Sequence, residues 1–528
     1  MQSGNRLSAV LLVLLAAYLG FSSPLSGQAT TSLPTSDPVI AKIWSEGMGD
    51  NSQVERLAQS LLDSIGPRLT ASPGHSSAVD WAVAKLSSWG VAARKEQYGT
   101  WMSWDRGPTH IDLIAPRKRT LEGTTLAWSA GTDGAIEGEV VVPPTLGSAD
   151  EAQAWLSTVK GKFVAVTPAE PTCRPDDNWE RLATPESFAR LQESRAQDRR
   201  RWNENLTVIG GSRGLARAAE AAGAAGVLTS TWSAGWGVNK IFSSWTDQIP
   251  TLDLSCEDYG LVSRLASNSQ GPKIRLDAQS EFLGEQPAFN VVGEIRGTEL
   301  PNEYVVLSAH FDSWDGASGA TDNGTGSIMM LEAMRILKAA IPNPRRTIIL
   351  GLWGGEEQGL LGSGAFATDH PEVIDGLQAA FNQDNGTWRV EYIRMMGFTE
   401  AGSNFGRWFG AIPRQLTQYI ELDIPGEPER GGSDHMSFIC RGAPGFRLQS
   451  NYPDYRQYTW HTNRDTYDKI IFDDLRNNAT LAAMLAYQAA QDPTKVGRTQ
   501  RVLPPSNNGQ PQSWPNCGQV RRSSGMNR

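Results

Sequence analysis

The chain has 528 residues and a formal net charge of −9, from 48 Lys and Arg against 57 Asp and Glu, which is long enough for two or three domains. Hydrophobic residues at 39% and 18 tryptophans can build sizeable cores, so a mainly disordered chain is excluded. The mildly acidic balance contains no Lys/Arg run that would bind nucleic acid. Four cysteines are too few for a disulfide scaffold, and six histidines confine any imidazole site to a short list.

Taken in chain order, Arg6 precedes an apolar run from Leu7 to Phe21, and small residues with one proline follow from Ser22 to Ala29. This pattern predicts a secretory signal peptide over residues 1–28, cut near Gly27 or Ala29. The run is shorter than the roughly 20 apolar residues that span a bilayer. No later run is long enough either, so no stable membrane span is expected after cleavage. An extracytoplasmic location, periplasmic or secreted, would let Cys173, Cys256, Cys440 and Cys517 pair, and three pairings are open.

Residues 40–131 read as an N-terminal part of the main domain. Helical periodicity runs from Asp50 to Val91 with a break at Gly66-Pro67-Arg68, and strand-like alternation follows at His110–Ile114 and Thr124–Trp128. Residues 132–284 have a different rhythm, with strand runs, the helix-and-strand unit GLARAAEAAGAAGVLTST, and a charged, Trp-bearing stretch from Cys173 to Asn205. Few of these groups suit chemistry, so the segment reads as an inserted, smaller α/β domain. Residues 285–493 alternate apolar strands with amphipathic helices, which predicts an α/β fold: a mixed, mostly parallel sheet sandwiched by helices. Residues 494–528, rich in Pro, Asn, Gln, Gly, Ser and Arg, read as a loosely ordered tail.

In a parallel α/β sheet, functional groups gather just past the carboxyl ends of the strands. Three predicted strands run into His310-Phe311-Asp312, Gly354-Gly355-Glu356-Glu357 and Asp384-Asn385. Between the first two lies the Gly-rich turn Gly319–Gly324 carrying Asp322, and His461 sits in an aromatic loop further on. Two divalent metals roughly 3.5–4 Å apart need one bridging carboxylate, with imidazoles and carboxylates to complete each shell. Asp322 would bridge, His310 with Asp384 would hold one ion, and Glu357 with His461 the other. Asp312, two residues beyond His310, is placed to accept the ring N–H that fixes the imidazole tautomer. Glu356, beside a ligand without being needed as one, is the natural general base.

Each piece alone has a plain reading: His-x-Asp as ordinary surface or core, Glu356-Glu357 as a solvated pair, Asp322-Asn323-Gly324 and Asp384 as turn residues. The ordered combination carries the inference. His75, His110 and His370 read as structural, and His435 is the nearest rival to His461.

The stretches VVLSAHFDSWDGASGATDNGTG, LWGGEEQGLLGS, FNQDN, GGSDHMSF and WHTNRDT resemble the di-zinc metallopeptidase family of secreted bacterial aminopeptidases and plasma glutamate carboxypeptidase (carboxypeptidase Q). IGPRLTASPG at Ile65–Gly74 is similar to an early segment of those enzymes, and the resemblance spans roughly Asp50 to Asp492. It implies a phosphorylase/hydrolase-like sandwich, two zinc ions per chain, Glu356 as catalytic base, a protease-associated domain as the insert, and a cis Asp322–Asn323 peptide. The stretch Cys173–Asn205 has no counterpart in that pattern. The expected activity is a secreted exopeptidase on terminal bonds of short peptides, aminopeptidase type favoured. The alternatives are a carboxypeptidase or dipeptidase and, more remotely, a receptor-like binding protein without catalysis. Arg430, Arg441, Arg447, Arg456 and Arg464 flank the site and would read a substrate carboxylate if one of them faced the cleft. Oligomeric state stays open, with a homodimer among the options.

Overall fold

The structure is a computed structural model, and it describes residues 35–384, 386–451 and 453–526. The signal-peptide expectation for residues 1–28 lies outside them. Fourteen strands are present among these residues. In chain order they are β1 (Ala92–Ala115), β2 (Arg119–Thr120), β3 (Gly123–Thr125), β4 (Ile136–Val141), β5 (Phe163–Ala165), β6 (Gly226–Thr229) and β7 (Thr251–Leu254). Then come β8 (Lys273–Ile295), β9 (Leu300–His310), β10 (Arg346–Trp353), β11 (Leu377–Gln383), β12 (Val390–Arg394), β13 (Glu421–Asp423) and β14 (Gly445–Ser450). They lie in the order β13-β12-β14-β11-β9-β10-β8-β4-β5-β6-β7-β3, with β1 paired to β8 and β2.

The middle of the main sheet, β10-β9-β11-β14, is parallel, and β8 and β12 flank it antiparallel. Parallel strands covered on both faces read as near-continuous apolar runs, and β10 and β11 are buried throughout. The two-residue period of β9 divides its side chains between layers. Val305, Leu307 and Ala309 enter one core with the helices Thr325–Ala340 and Phe472–Gln491, while Tyr304 and Val306 enter a second core with Phe366, Ile374 and Phe438. The expected mixed, mostly parallel sheet sandwiched by helices is therefore what the chain forms.

Local chemistry explains where the outer helices start. Asp37 caps Pro38–Met48 by accepting from the amides of Val39 and Ile40, and Ser72 caps Pro73–Ser88 by accepting from that of His75. Inside, Arg335 is clamped between Glu46 and Glu332, both at 2.9 Å, and Glu332 also accepts from the amide of Gln53. This buried cluster ties the N-terminal helices to the helix that follows the Asp322 loop.

The smaller lobe is a second parallel sheet, β4-β5-β6-β7, with β3 antiparallel at its edge. One of its cores gathers Ile111, Phe163, Leu252 and Tyr259, and the other Val164, Leu206, Leu215 and Val227. The change of rhythm predicts a boundary at 284, but that position falls inside β8. The β1–β8 ladder runs unbroken through both lobes apart from bulges, because both strands keep alternating well past the change of rhythm.

The Cys173–Asn205 stretch contains two helices, Asp176–Leu182 and Pro185–Leu206, pinned to the lobe by a Cys173–Cys256 disulfide. Arg195 is the buried anchor of the longer helix, 2.5 Å from Asp176 and stacked on Trp232. The second disulfide joins Cys440 to Cys517. Residues 494–526 carry no helix or strand, yet they are tied down rather than loose. Besides the disulfide, Trp514 donates to the carbonyl of Ile439, Arg521 to that of Gln358, and the amide of Thr100 to the carbonyl of Arg522. Composition foretold the irregular backbone but not its anchoring, which depends on a distant partner cysteine.

Candidate metal centre

His310 is the last residue of β9, Glu356 and Glu357 follow β10, and Asp384 follows β11, so adjacent parallel strands deliver all four to one edge of the sheet. Asp322 lies in the turn before Thr325–Ala340, across a cis bond to Asn323, and His461 follows the short helix Tyr455–Tyr458. Their atoms converge. His310 Nε2 is 3.2 Å from one oxygen of Asp322 and 3.5 Å from Asp384. His461 Nε2 is 3.2 Å from the other oxygen of Asp322 and 2.9 Å from Glu357. Two donor triads result, His310/Asp322/Asp384 and Asp322/Glu357/His461, each with donor atoms within 4.8 Å of one another, and Asp322 belongs to both.

The tautomer of His310 tests whether a cation fits. Its Nδ1 lies 3.1 Å from the main-chain carbonyl of Asp312, a pure acceptor, so Nδ1 carries the hydrogen. The Nε2 lone pair then faces carboxylate oxygens, an arrangement that only a cation or a second proton relieves. His310 Nε2, Asp322 Oδ2 and Glu357 Oε1 are all buried without a hydrogen-bond partner. Nitrogen and oxygen donors without thiolate suit zinc in a catalytic site. The residues present therefore fit a pair of divalent ions.

Asp312 acts differently from the sequence expectation. Its carboxylate stands 3.7 Å from His310 Nδ1, beyond hydrogen-bond range. Instead its two oxygens accept from the amides of Glu356 at 3.0 Å and Glu357 at 3.2 Å, and the ring N–H goes to its own carbonyl. Residue 312 thus orients His310 through its backbone and the Glu356-Glu357 turn through its side chain. Burial, with Asp384, Asp434 and Glu357 nearby and His310 opposing them, pushes the Glu356 carboxyl well above the carboxylate range. Glu356 belongs to neither triad, which leaves its carboxyl free for proton transfer.

Two structural carboxylate and guanidinium roles were not read from the sequence. Asp465 accepts from the amides of Thr321 at 2.8 Å and Asp322 at 3.0 Å, fixing the shared ligand, and burial lifts its carboxyl to about 7. Arg68 is fully buried and donates to the carbonyls of Phe311, Ser318 and Gly319, so one side chain pins the whole loop between His310 and Asp322. Both sit in the quoted stretches WHTNRDT and IGPRLTASPG, the only signal that could have found them. The other histidines stay outside the triads. His435 is buried against Glu429 at 2.8 Å, His75 lies edge-on to Phe311, His370 sits between Glu96 and Glu372, and His110 is exposed on β1.

The cleft beside the second triad is lined by Ile241, Trp314, Ala317 and Thr462 together with Asp322, Glu357 and His461. None of the five flanking arginines lines it. Arg430 donates to the carbonyl of Ser513, Arg441 to that of Ser437, and Arg447 to Glu429. Arg456 stacks on Trp460, and Arg464 pairs with Glu122.

A carboxylate-bridged pair of donor triads on the carboxyl edge of a parallel sheet defines a metal-dependent hydrolase of the α/β class. Comparison with known proteins narrows it: residues 290–486 match the model of peptidase family M28, and the chain is a metallopeptidase. Carboxypeptidase Q of Mus musculus is 26% identical over 452 residues, covering 84% of this chain and 87% of the relative. Carboxypeptidase Q of Homo sapiens is 27% identical over 451 residues, covering 84% and 86%. Among solved structures, a peptidase M28 precursor from Shewanella amazonensis aligns with TM-score 0.60 and 25% identity, over 89% of this chain and 98% of that one. BSAP, a zinc aminopeptidase from Bacillus subtilis, shares the fold with TM-score 0.53 and 18% identity, over 85% and 97%.

Proposed function

We propose that the protein is an extracytoplasmic di-zinc exopeptidase that hydrolyses the terminal peptide bond of short peptides, of the aminopeptidase type. The observation that carries this reading is the shared Asp322, whose two oxygens face two separate imidazole-carboxylate pairs. His310, Asp322 and Asp384 would hold one zinc ion, and Asp322, Glu357 and His461 the other. Bound zinc would polarise the scissile carbonyl and lower the pKa of the attacking water. Glu356 takes the water proton on a carboxylate oxygen and passes it to the leaving amine nitrogen, a task open to it because it belongs to neither donor triad. Asp312 holds the Glu356 amide so that the carboxyl stays beside the site.

The aminopeptidase direction is supported by charge. None of the five flanking arginines lines the cleft beside the second triad, so no guanidinium there is placed to read a substrate carboxylate. An oxidising compartment is supported by all four cysteines being paired. A second reading, cleavage beside a free carboxylate, draws on the likeness to carboxypeptidase Q along most of the chain.

Hydrolysis of one dipeptide, its N-acetyl form and its C-amide, with and without zinc chelation, separates the readings. Loss of turnover on N-acetylation but not on amidation is the expected result. The opposite pattern would establish the carboxypeptidase reading, and turnover unaffected by chelation would remove the metal. Glu356→Gln is expected to lower kcat by at least about 10²-fold with KM little changed.

A further inference from the structure

The two donor triads are held very differently. His310 and Asp384 stand at the ends of β9 and β11 in the middle of the main sheet. His461 is instead on a turn, with φ of 51°, a left-handed conformation that non-glycine residues rarely adopt. Such a residue keeps its place only where its surroundings over-determine it.

Those surroundings come from the smaller lobe. Its segment 231–242 folds back on itself through a Trp232–Asn239 bridge and lies antiparallel to the His461 turn, with Lys240 bridged to Thr462. The amide of Ile241 donates to the carbonyl of His461 at 2.7 Å, and the amide of Asn463 to the carbonyl of Asn239 at 3.0 Å. Lys240 Nζ donates to the carbonyls of Arg456 and Trp460, and so spans the helix and turn that carry His461. Phe242 meets the His461 ring edge-on at 5.1 Å, and Trp460 stacks on it at 3.9 Å.

We propose that segment 231–242 of the smaller lobe is a built part of the second metal position: Lys240 and Phe242 are positioning residues for His461, so retention of the ion at Glu357 and His461 depends on the docked lobe. The inference rests on the two-metal reading. It makes the sites unequal, one carried by the sheet and the other completed by a lobe more than 200 residues away in sequence, as the 220-residue separation of Lys240 and Trp460 illustrates.

The test is zinc binding to the full chain by chelator competition, resolving two steps, for the wild type, His461→Gln, Lys240→Met, Phe242→Leu and Phe242→Tyr. Lys240→Met and Phe242→Leu are expected to weaken about 10–100-fold the same step that His461→Gln removes, the usual effect of losing a partner that orients a ligand. The other step should stay unchanged, and Phe242→Tyr should restore wild-type binding because it keeps the ring. Unchanged binding in both Lys240→Met and Phe242→Leu overturns the proposal, as does equal weakening of both steps, which would mean general loosening. A wild-type chain that takes up fewer than two ions overturns the two-metal reading itself and this inference with it.

Discussion

Protons and metal compete for the same imidazoles. Burial opposes charge on His461, but Glu357 and Asp322 outweigh it and lift the ring to about 9. His310 is likewise buried, and Asp384 with Asp312 and Asp322 holds it well above its ordinary value. A bound cation must displace these protons, so apparent zinc affinity is expected to weaken steadily as pH falls below about 9. Metal titrations across that range check it, and a pH-independent affinity would remove His461 as a ligand. Asp312 gives a second prediction at this scale. Asp312→Asn keeps the main-chain carbonyl that orients His310 but turns an amide N–H₂ toward one of the two backbone donors. Zinc stoichiometry should stay the same while kcat falls about 10–100-fold, as is usual when a ligand's support is lost. His310, Asp322, Glu357 and Asp384 were legible because each follows an apolar strand or lies in a glycine turn, whereas His461, in an aromatic loop, was legible only in combination with them. Whether residue 312 used its side chain or its carbonyl was not, since spacing does not distinguish them. Asp465 and Arg68 were hidden for a related reason: both act on backbone amides and carbonyls brought near only by tertiary folding.

Among the elements, helix Thr325–Ala340 shows how far its stability depends on charge placement. Arg335 stands between Glu46 and Glu332, whose side chains are 8% and 0% exposed. Arg335→Met would leave buried Glu332 without a cationic partner, while Glu46 keeps Lys42 at 2.7 Å, and is expected to cost about 3 kcal/mol, measured by denaturant unfolding. A loss under about 1 kcal/mol would mean that water reaches the pair. The helices and the parallel strands were readable because burial on one or both faces stamps a period on the sequence. The order of strands was not, because antiparallel β8 and β12 read like their parallel neighbours. The long strands β1 and β8 were cut short in the sequence reading, since the change of partner from one lobe to the other leaves no mark on alternation.

Across the whole molecule, the lobes are joined through the continuous pairing of β1 with β8. Residues 285–493 expressed alone would begin inside β8 and lack β1 entirely. Such a fragment is expected to show no cooperative thermal transition, while the full chain unfolds as a unit. A fragment that melted cooperatively and bound zinc would count against that unity. The ribbon also has a mechanical consequence. Twenty-four residues in β1, at roughly 3.3 Å each, give a twisted two-stranded ribbon about 79 Å in contour length, in place of a hinge peptide. Its compliant points are the register shifts at Gln97/Gly99, Ser103/Trp104, Arg106/Thr109 and Leu113/Ala115. Any motion of one lobe against the other must therefore twist this ladder, which yields first at those shifts.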